Sequence, residues 1–219
     1  MDMTEGMRRV GLAAICAVVA AFGCAEERSR SDPLVAEVSP DSFSVSFETS
    51  AGDFAIAFHR AWSPVAVDRV YRLVQDGFWD GARIYRVNER YAQFGYSGRP
   101  ALDSAWVRTA IPDEPVRQSN TRGSVSFARG GPDTRSAIVF INRSDNADLD
   151  DMDWNGVKGF PPVGRVSRGM EVVDLLYGGY GDDPMQWEDS IARVGNSFLD
   201  RRYPQLDSIV TVGLVDIRE

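Results

Sequence analysis

Histidine and cysteine are almost missing. The 219-residue chain has one histidine, His59, and two cysteines, Cys16 and Cys24. A serine or cysteine triad would have to use His59, which ends an alternating apolar run with no nucleophile motif beside it, so acyl-transfer hydrolysis is discounted. Zinc would need cysteine and histidine at spacings that do not occur. No glycine-rich loop follows a strand and opens a helix, which removes the phosphate cradle of nucleotide enzymes. Positive charge is also short: 24 Lys and Arg against 32 Asp and Glu leave a net charge of -8, the wrong sign for neutralising a polyanion. Nucleic acid is therefore not expected as a partner, and no internal repeat suggests a solenoid.

What is present suits one sizeable domain, with 43% hydrophobic and 11% aromatic residues. The N-terminus is a separate object. Arg8 and Arg9 precede "VGLAAICAVVAAFG", too short and too rich in small residues for an ordinary spanning helix, and the run stops at Cys24. It reads as a secretion signal, and "AAFGC" resembles a lipoprotein signal in which the cysteine is lipidated. Residues 1–23 are thus expected to be a signal peptide and Cys24 the lipid anchor to the membrane. Residues 24–42 are polar, carry Pro33 and Pro40, and read as a flexible tether. Residues 43–219 form the domain, expected in the cell envelope on the periplasmic side. With Cys16 gone, one cysteine would remain, and no internal disulfide is expected.

Along the domain, alternating runs at 43–47 and 54–58 around a glycine-containing turn predict a hairpin. Ser63 as N-cap, Pro64 at the first turn and apolar residues at Val67, Val70, Tyr71 and Val74 predict a helix closed by Gly77. Strand signals follow at 83–87, 91–96, 123–129, 137–142 and 163–166. "GMEVVDLLYGGYG" predicts a second helix, "IARVGNSFLDRRYP" a third, and "SIVTVGLVDIR" a closing strand. Many short strands with few helices indicate a mainly β, antiparallel closed barrel.

Two stretches are candidates for chemistry. In "RIYRVNERYAQFGYSG", alternation groups Tyr85 with Val87 and Ile84 with Arg86; if Arg86 faces the same way as Tyr91 and Gln93, a cation, a ring and an amide share one surface. In "DNADLDDMDWNG", Asp151, Asp153, Asn155 and Gly156 match the first half of a calcium loop. The twelfth position is Pro162 rather than a bidentate glutamate, so a solvated acidic loop is expected and no metal.

Taken in order, "GDFAIAFHRAWSPVAVDRVYRLVQDGFWDGARIYRV", "QFGYSG", "IPDEPV", "SNTRGSVSFARGGPDTRSAIVFIN" and "VGRVSRGMEVVDLLYGGYG" resemble a bacterial cyclophilin, the family of peptidyl-prolyl cis/trans isomerases that assist protein folding. The resemblance implies a closed eight-stranded antiparallel barrel capped by two helices, acting without a cofactor as a monomer on proline-containing polypeptides bound in an outer groove. It implies Arg86 as the catalytic residue and Tyr91, Gln93, Phe127, Ala128, Phe140 and Phe160 as substrate-binding. Three positions depart from the family pattern. The Arg86 to Gln93 spacing is one residue short, Ile138 stands where many members carry glutamine, and Arg129 where asparagine is common. These departures keep open a peptide-binding or holdase module with little turnover, and the acidic loop keeps open an envelope lipoprotein that binds calcium or a partner.

Overall fold

The computed structural model describes residues 38–215. The expected signal peptide, Cys24 and most of the expected tether lie outside the described residues. Ser39, near the end of that tether, is buried and donates its backbone N–H and its hydroxyl to Asp68, at 3.0 and 2.9 Å.

The predicted hairpin is β1 (Ser42–Thr49) and β2 (Gly52–His59). Phe47 faces Phe54 across it with ring centroids 4.9 Å apart, which fixes the register with aromatic contact as well as hydrogen bonds. Helix α1 (Pro64–Gln75) follows. Then come β3 (Arg86–Val87), β4 (Tyr91–Phe94), α2 (Pro100–Val107), β5 (Ser124–Phe127) and β6 (Val139–Asn142). A small hairpin, β7 (Asp153–Trp154) and β8 (Val157–Lys158), stands apart from the main sheet. The chain ends with β9 (Pro162–Arg168), α3 (Met170–Leu175), α4 (Glu188–Val194), α5 (Asn196–Arg202) and β10 (Ile209–Val215). None of the described helices is long and apolar enough to cross a membrane.

Eight strands form one antiparallel sheet in the order β10-β1-β2-β9-β5-β6-β4-β3, curled around Phe47, Phe54, Ile56, Trp79, Phe94, Phe127 and other fully buried side chains. The expected closed barrel is corrected in one respect: β3 and β10 share no ladder. Only the segment before β3 meets β10's approach, through an Arg83–Ser208 bridge and hydrogen bonds from Ile84 to Asp207 and Gly81 to Ile209, each 2.9 Å. The physical reason is the length of β3. Residues 81–84 before it are engaged with 207–209, and Asn88 ends it by accepting the N–H groups of Arg90 and Tyr91, so only Arg86 and Val87 join the ladder.

Three further expectations change. Helix α2 follows the φ +75 turn at Gly98 and buries only Asp103 and Trp106, too little to leave a periodic signal. The third predicted helix is two, broken at Gly195 with φ +70. Ser63 precedes α1, but its side chain does not cap it. Glu114 does so from another segment, accepting from Val65 N at 2.9 Å, Ala66 N at 3.1 Å and the Ser63 hydroxyl at 2.5 Å. The same carboxylate pairs with the fully buried Arg135 at 3.1 Å, and Arg135 also donates to the Pro112 carbonyl. One ion pair therefore fastens the start of α1 to two connections, the one between α2 and β5 through Glu114 and the one between β5 and β6 through Arg135.

Stranding a buried charge costs more than losing a hydrogen bond. Glu114→Ala is expected to lower stability by about 3–5 kcal/mol, and Ser63→Ala by about 1 kcal/mol, read from urea unfolding midpoints. Equal losses would refute capping from a distance.

Candidate functional site

The site begins with strand register. Arg86 pairs with Gln93, Gln93 with Phe140, and Phe140 with Ser126, so these four lie in one row across β3, β4, β6 and β5. The adjacent row, Val87, Ala92, Ile141 and Val125, is buried in the barrel interior. Side chains of neighbouring rows point to opposite faces, so the Arg86 row faces outward.

That register brings Arg86, Tyr91, Gln93, Ala128, Phe140 and Phe160 around one cavity of about 440 Å³. Phe127 is the exception. It pairs with Val139 in an inward row and is fully buried in the core, so its expected place in the groove is corrected. Tyr85 also departs from simple alternation: the strand starts only at Arg86, and Tyr85 packs outside the barrel with Tyr96 while Ile84 joins the core.

One end of the cavity is aromatic. Tyr91 and Phe160 each meet Phe140 edge to face, with centroids 5.2 and 5.9 Å away. Leu149 and Met152 complete this cluster from the turn after β6. Asn120, wholly buried, holds that turn by donating to the Phe160 carbonyl and to Asp150, both at 2.8 Å. Arg129 stacks over Phe160 at 4.3 Å and gives one hydrogen bond, to the Val157 carbonyl at 3.0 Å; burial lowers its pKa.

Arg86 is held on two edges. Its Nε donates to Asp182 at 2.6 Å and its Nη1 to Gln93 at 3.1 Å, while the guanidinium lies 4.9 Å from the Tyr91 ring centroid. Among the described residues no acceptor meets Nη2. Gln93 is itself fixed, donating to the Tyr85 hydroxyl at 2.7 Å, and Tyr85 donates in turn to Glu188 at 3.3 Å. Burial pushes the Tyr85 and Tyr96 hydroxyls well above their usual range, so both stay neutral donors. Burial also raises the Glu188 carboxyl, a shift opposed by the Tyr85 hydrogen bond and by Arg86.

Asp182, Met185 and Glu188 escaped the sequence reading. They arrive from the segment between α3 and α5, about a hundred residues from Arg86, and no local spacing ties them to it. Tyr85, Ile191, Leu199 and Tyr203 pack that segment onto the barrel. The acidic loop is spent on structure: Asp151 pairs with Lys158 at 2.8 Å, Asp153 accepts from Gly156 N, and Asn155 donates to the Gly130 carbonyl. His59 stacks near Trp62, 4.6 Å between centroids, away from this cavity. A fixed cation with one free edge beside an aromatic pocket can bind an apolar ring and donate to an acceptor next to it, with no proton transferred.

Residues 44–196 match the family described as "Cyclophilin type peptidyl-prolyl cis-trans isomerase/CLD". The peptidyl-prolyl cis-trans isomerase A of Dickeya dadantii is 31% identical over 137 residues, which span 58% of this chain and 67% of that protein. The isomerase cyp18 of Streptomyces antibioticus is 30% identical over 153 residues, 65% of this chain and 92% of that one. A crystal structure of a cyclophilin-type isomerase from Cryptosporidium parvum superposes with a TM-score of 0.57 at 15% identity, covering 80% of this chain and 98% of the other. A second, determined in the presence of the dipeptide Ala-Pro, gives 0.56 at 15% identity, covering 79% and 99%.

The raised Glu188 carboxyl has a measurable consequence. The folded chain holds that proton more tightly than the unfolded chain, so stability from this group is complete below its ordinary value of 4.5 and is lost as pH rises through the raised one. Glu188→Gln is therefore expected to be more stable than the parent at about pH 7 and level with it near about pH 4, by urea unfolding at both. A variant less stable at neutral pH would contradict this.

Proposed function

The chain belongs to the cyclophilin-type peptidyl-prolyl cis-trans isomerase family, and on that premise we propose that it isomerises X-Pro bonds of polypeptides outside the cytoplasm, with Arg86 as the catalytic donor. The observation that carries this reading is the guanidinium held on two edges beside an aromatic-walled cavity. The Ala-Pro dipeptide present with one structural neighbour supports proline as the ring that enters it.

Rotation about the amide is opposed by a barrier of about 18–20 kcal/mol from lost resonance, while the two planar states differ by only about 0.5–1 kcal/mol. No bond breaks, so the task is to bind the twisted amide better than either planar one. In the planar amide the proline nitrogen shares its lone pair with the carbonyl and accepts nothing. In the twisted amide the pair returns to nitrogen and accepts a hydrogen bond from Arg86. Tyr91, Phe140, Phe160 and Ala128 hold the ring in place while the amide turns. Gln93 keeps the donor aimed, and Asp182 keeps it from swinging to solvent. The chemistry needs no base, which suits a cavity without histidine.

Placement outside the cytoplasm rests on the sequence before residue 38: Arg8 and Arg9, the short apolar run, and Cys24 after a small residue. The protein is read as a lipid-anchored envelope isomerase whose clients are exported chains.

Arg86→Ala is expected to lower kcat/KM for a short X-Pro peptide about 100- to 1000-fold with circular dichroism and melting temperature little changed. Arg86→Lys should be nearly as poor, since a flexible ammonium cannot be held by two edges. If the parent protein binds the peptide without accelerating its exchange, a binding module replaces the enzyme. Cys24→Ala, expressed in the native host, should move the protein from the membrane to the soluble fraction; a variant still on the membrane sinks the lipid anchor.

A further inference from the structure

The cavity has a second end that the proline ring does not need. Beyond Gln93 it is lined by Tyr96, Ile138 and Met185, which pack in one cluster with Tyr85, and by Glu188, which accepts from the Tyr85 hydroxyl. Ile138 reaches that wall because Gly95 lets the two segments touch: its φ is +139, and a Cβ there would lie 2.4 Å from the Ile138 Cα. The walls are apolar and one half-buried carboxylate stands among them. Among the described residues Glu188 forms no salt bridge, and its single hydrogen bond, from Tyr85, is long at 3.3 Å. Nearby Asp189 adds charge of the same sign, and Arg86 is already paired with Asp182 at 2.6 Å.

From this geometry we infer that the Tyr96, Ile138, Met185 and Glu188 end of the cavity is a subsite for a lysine or arginine side chain near the target proline. These two residues have an apolar stem and a cationic head, which matches apolar walls ending in a carboxylate. The carboxylate is already stripped of much of its water in the free protein, so an arriving cation gains attraction at little further desolvation cost on the protein side. The occupant is fixed by sign. An acidic side chain would meet Glu188 and Asp189, and a neutral one would leave the carboxylate unpaired. At the opposite end Arg129 is buried, with Nη2 on the Val157 carbonyl and with Nε and Nη1 meeting no acceptor among the described residues, so that end presents donors and a positive charge, and a cationic side chain is selected only at the Glu188 end.

The inference rests on the isomerase reading, and its test separates the two. Purified full-length protein is given Ala-rich proline peptides in which lysine, norleucine or glutamate is placed at each position within three of the proline. Both cis/trans exchange and binding, by fluorescence titration, are measured for the parent, Glu188→Gln and Glu188→Lys. At one position lysine should be favoured over norleucine about fivefold in KM and in Kd, with kcat little changed. Glu188→Gln keeps an acceptor for Tyr85 and should erase the ratio; Glu188→Lys should turn the preference to glutamate. A preference absent at every position, or one that survives Glu188→Gln, overturns the subsite. Equal losses for lysine and norleucine peptides in Glu188→Gln would make the residue a positioning group for Tyr85 and Gln93, and also overturn it. If no peptide is turned over, the isomerase reading fails, while the binding ratio still decides the subsite; if none binds, both fall.

Discussion

The register of three strands governs everything that follows at the surface of this barrel. Arg86 opposite Gln93, and Gln93 opposite Phe140, put a cation, an amide and a ring in one outward row. A slip of one residue would exchange that row for Val87, Ala92 and Ile141, exposing the core and burying the guanidinium. The apolar row therefore enforces the polar one, and the energy that holds the groove residues in line is the burial of their neighbours. This is how a two-residue strand such as β3 can position a side chain: it inherits its register from the longer pairing of β4 with β6.

Around that row the two cavity walls are fastened by different means. The aromatic wall is tied by buried amides, with Asn120 joining Asp150, Ser126 and the Phe160 carbonyl. The opposite wall is tied by rings, Tyr85, Tyr180 and Tyr203 among them, that press the segment after α3 onto the barrel. Both arrangements settle the ordering of the side chains before a ligand arrives. That preorganisation matters more for recognition than the area covered.

How much of this could be read from the chain itself follows the range of the interaction. The first hairpin, the body of α1 and the shared face of Arg86, Tyr91 and Gln93 come from periods of two and 3.6, which are local. Phe127 belongs to the strand the resemblance points to but has the wrong parity for the groove: β5 alternates without a break against β6, so Phe127 shares the inward face with Val125 while Ser126 takes the outward row. Ser63 has the chemistry of a cap, yet Glu114, fifty residues on, takes the role because Arg135 draws it into the same buried spot. Asp182 and Glu188 carry no local mark at all; only the folding of their segment against Tyr85 brings them to Arg86 and the cavity. The open edge between β3 and β10 depends on the Asn88 turn and on the contacts of residues 81–84 with 207–209, whose effect on a ladder is not visible until both strands are placed.

The ladder also ties the first strand to the last. Ser44 pairs with Val215, so β1 has β2 on one side and, on the other, a partner that is the last strand described. A chain growing from its N-terminus can form the first hairpin early, but one edge of β1 stays unpaired until nearly the whole domain has been made. Closing a loop of that length is slow, and an unpaired edge meanwhile invites other strands. Completion of the sheet is thus a late event in the life of the chain, and the outer edge of β1 stays open through most of the domain's synthesis.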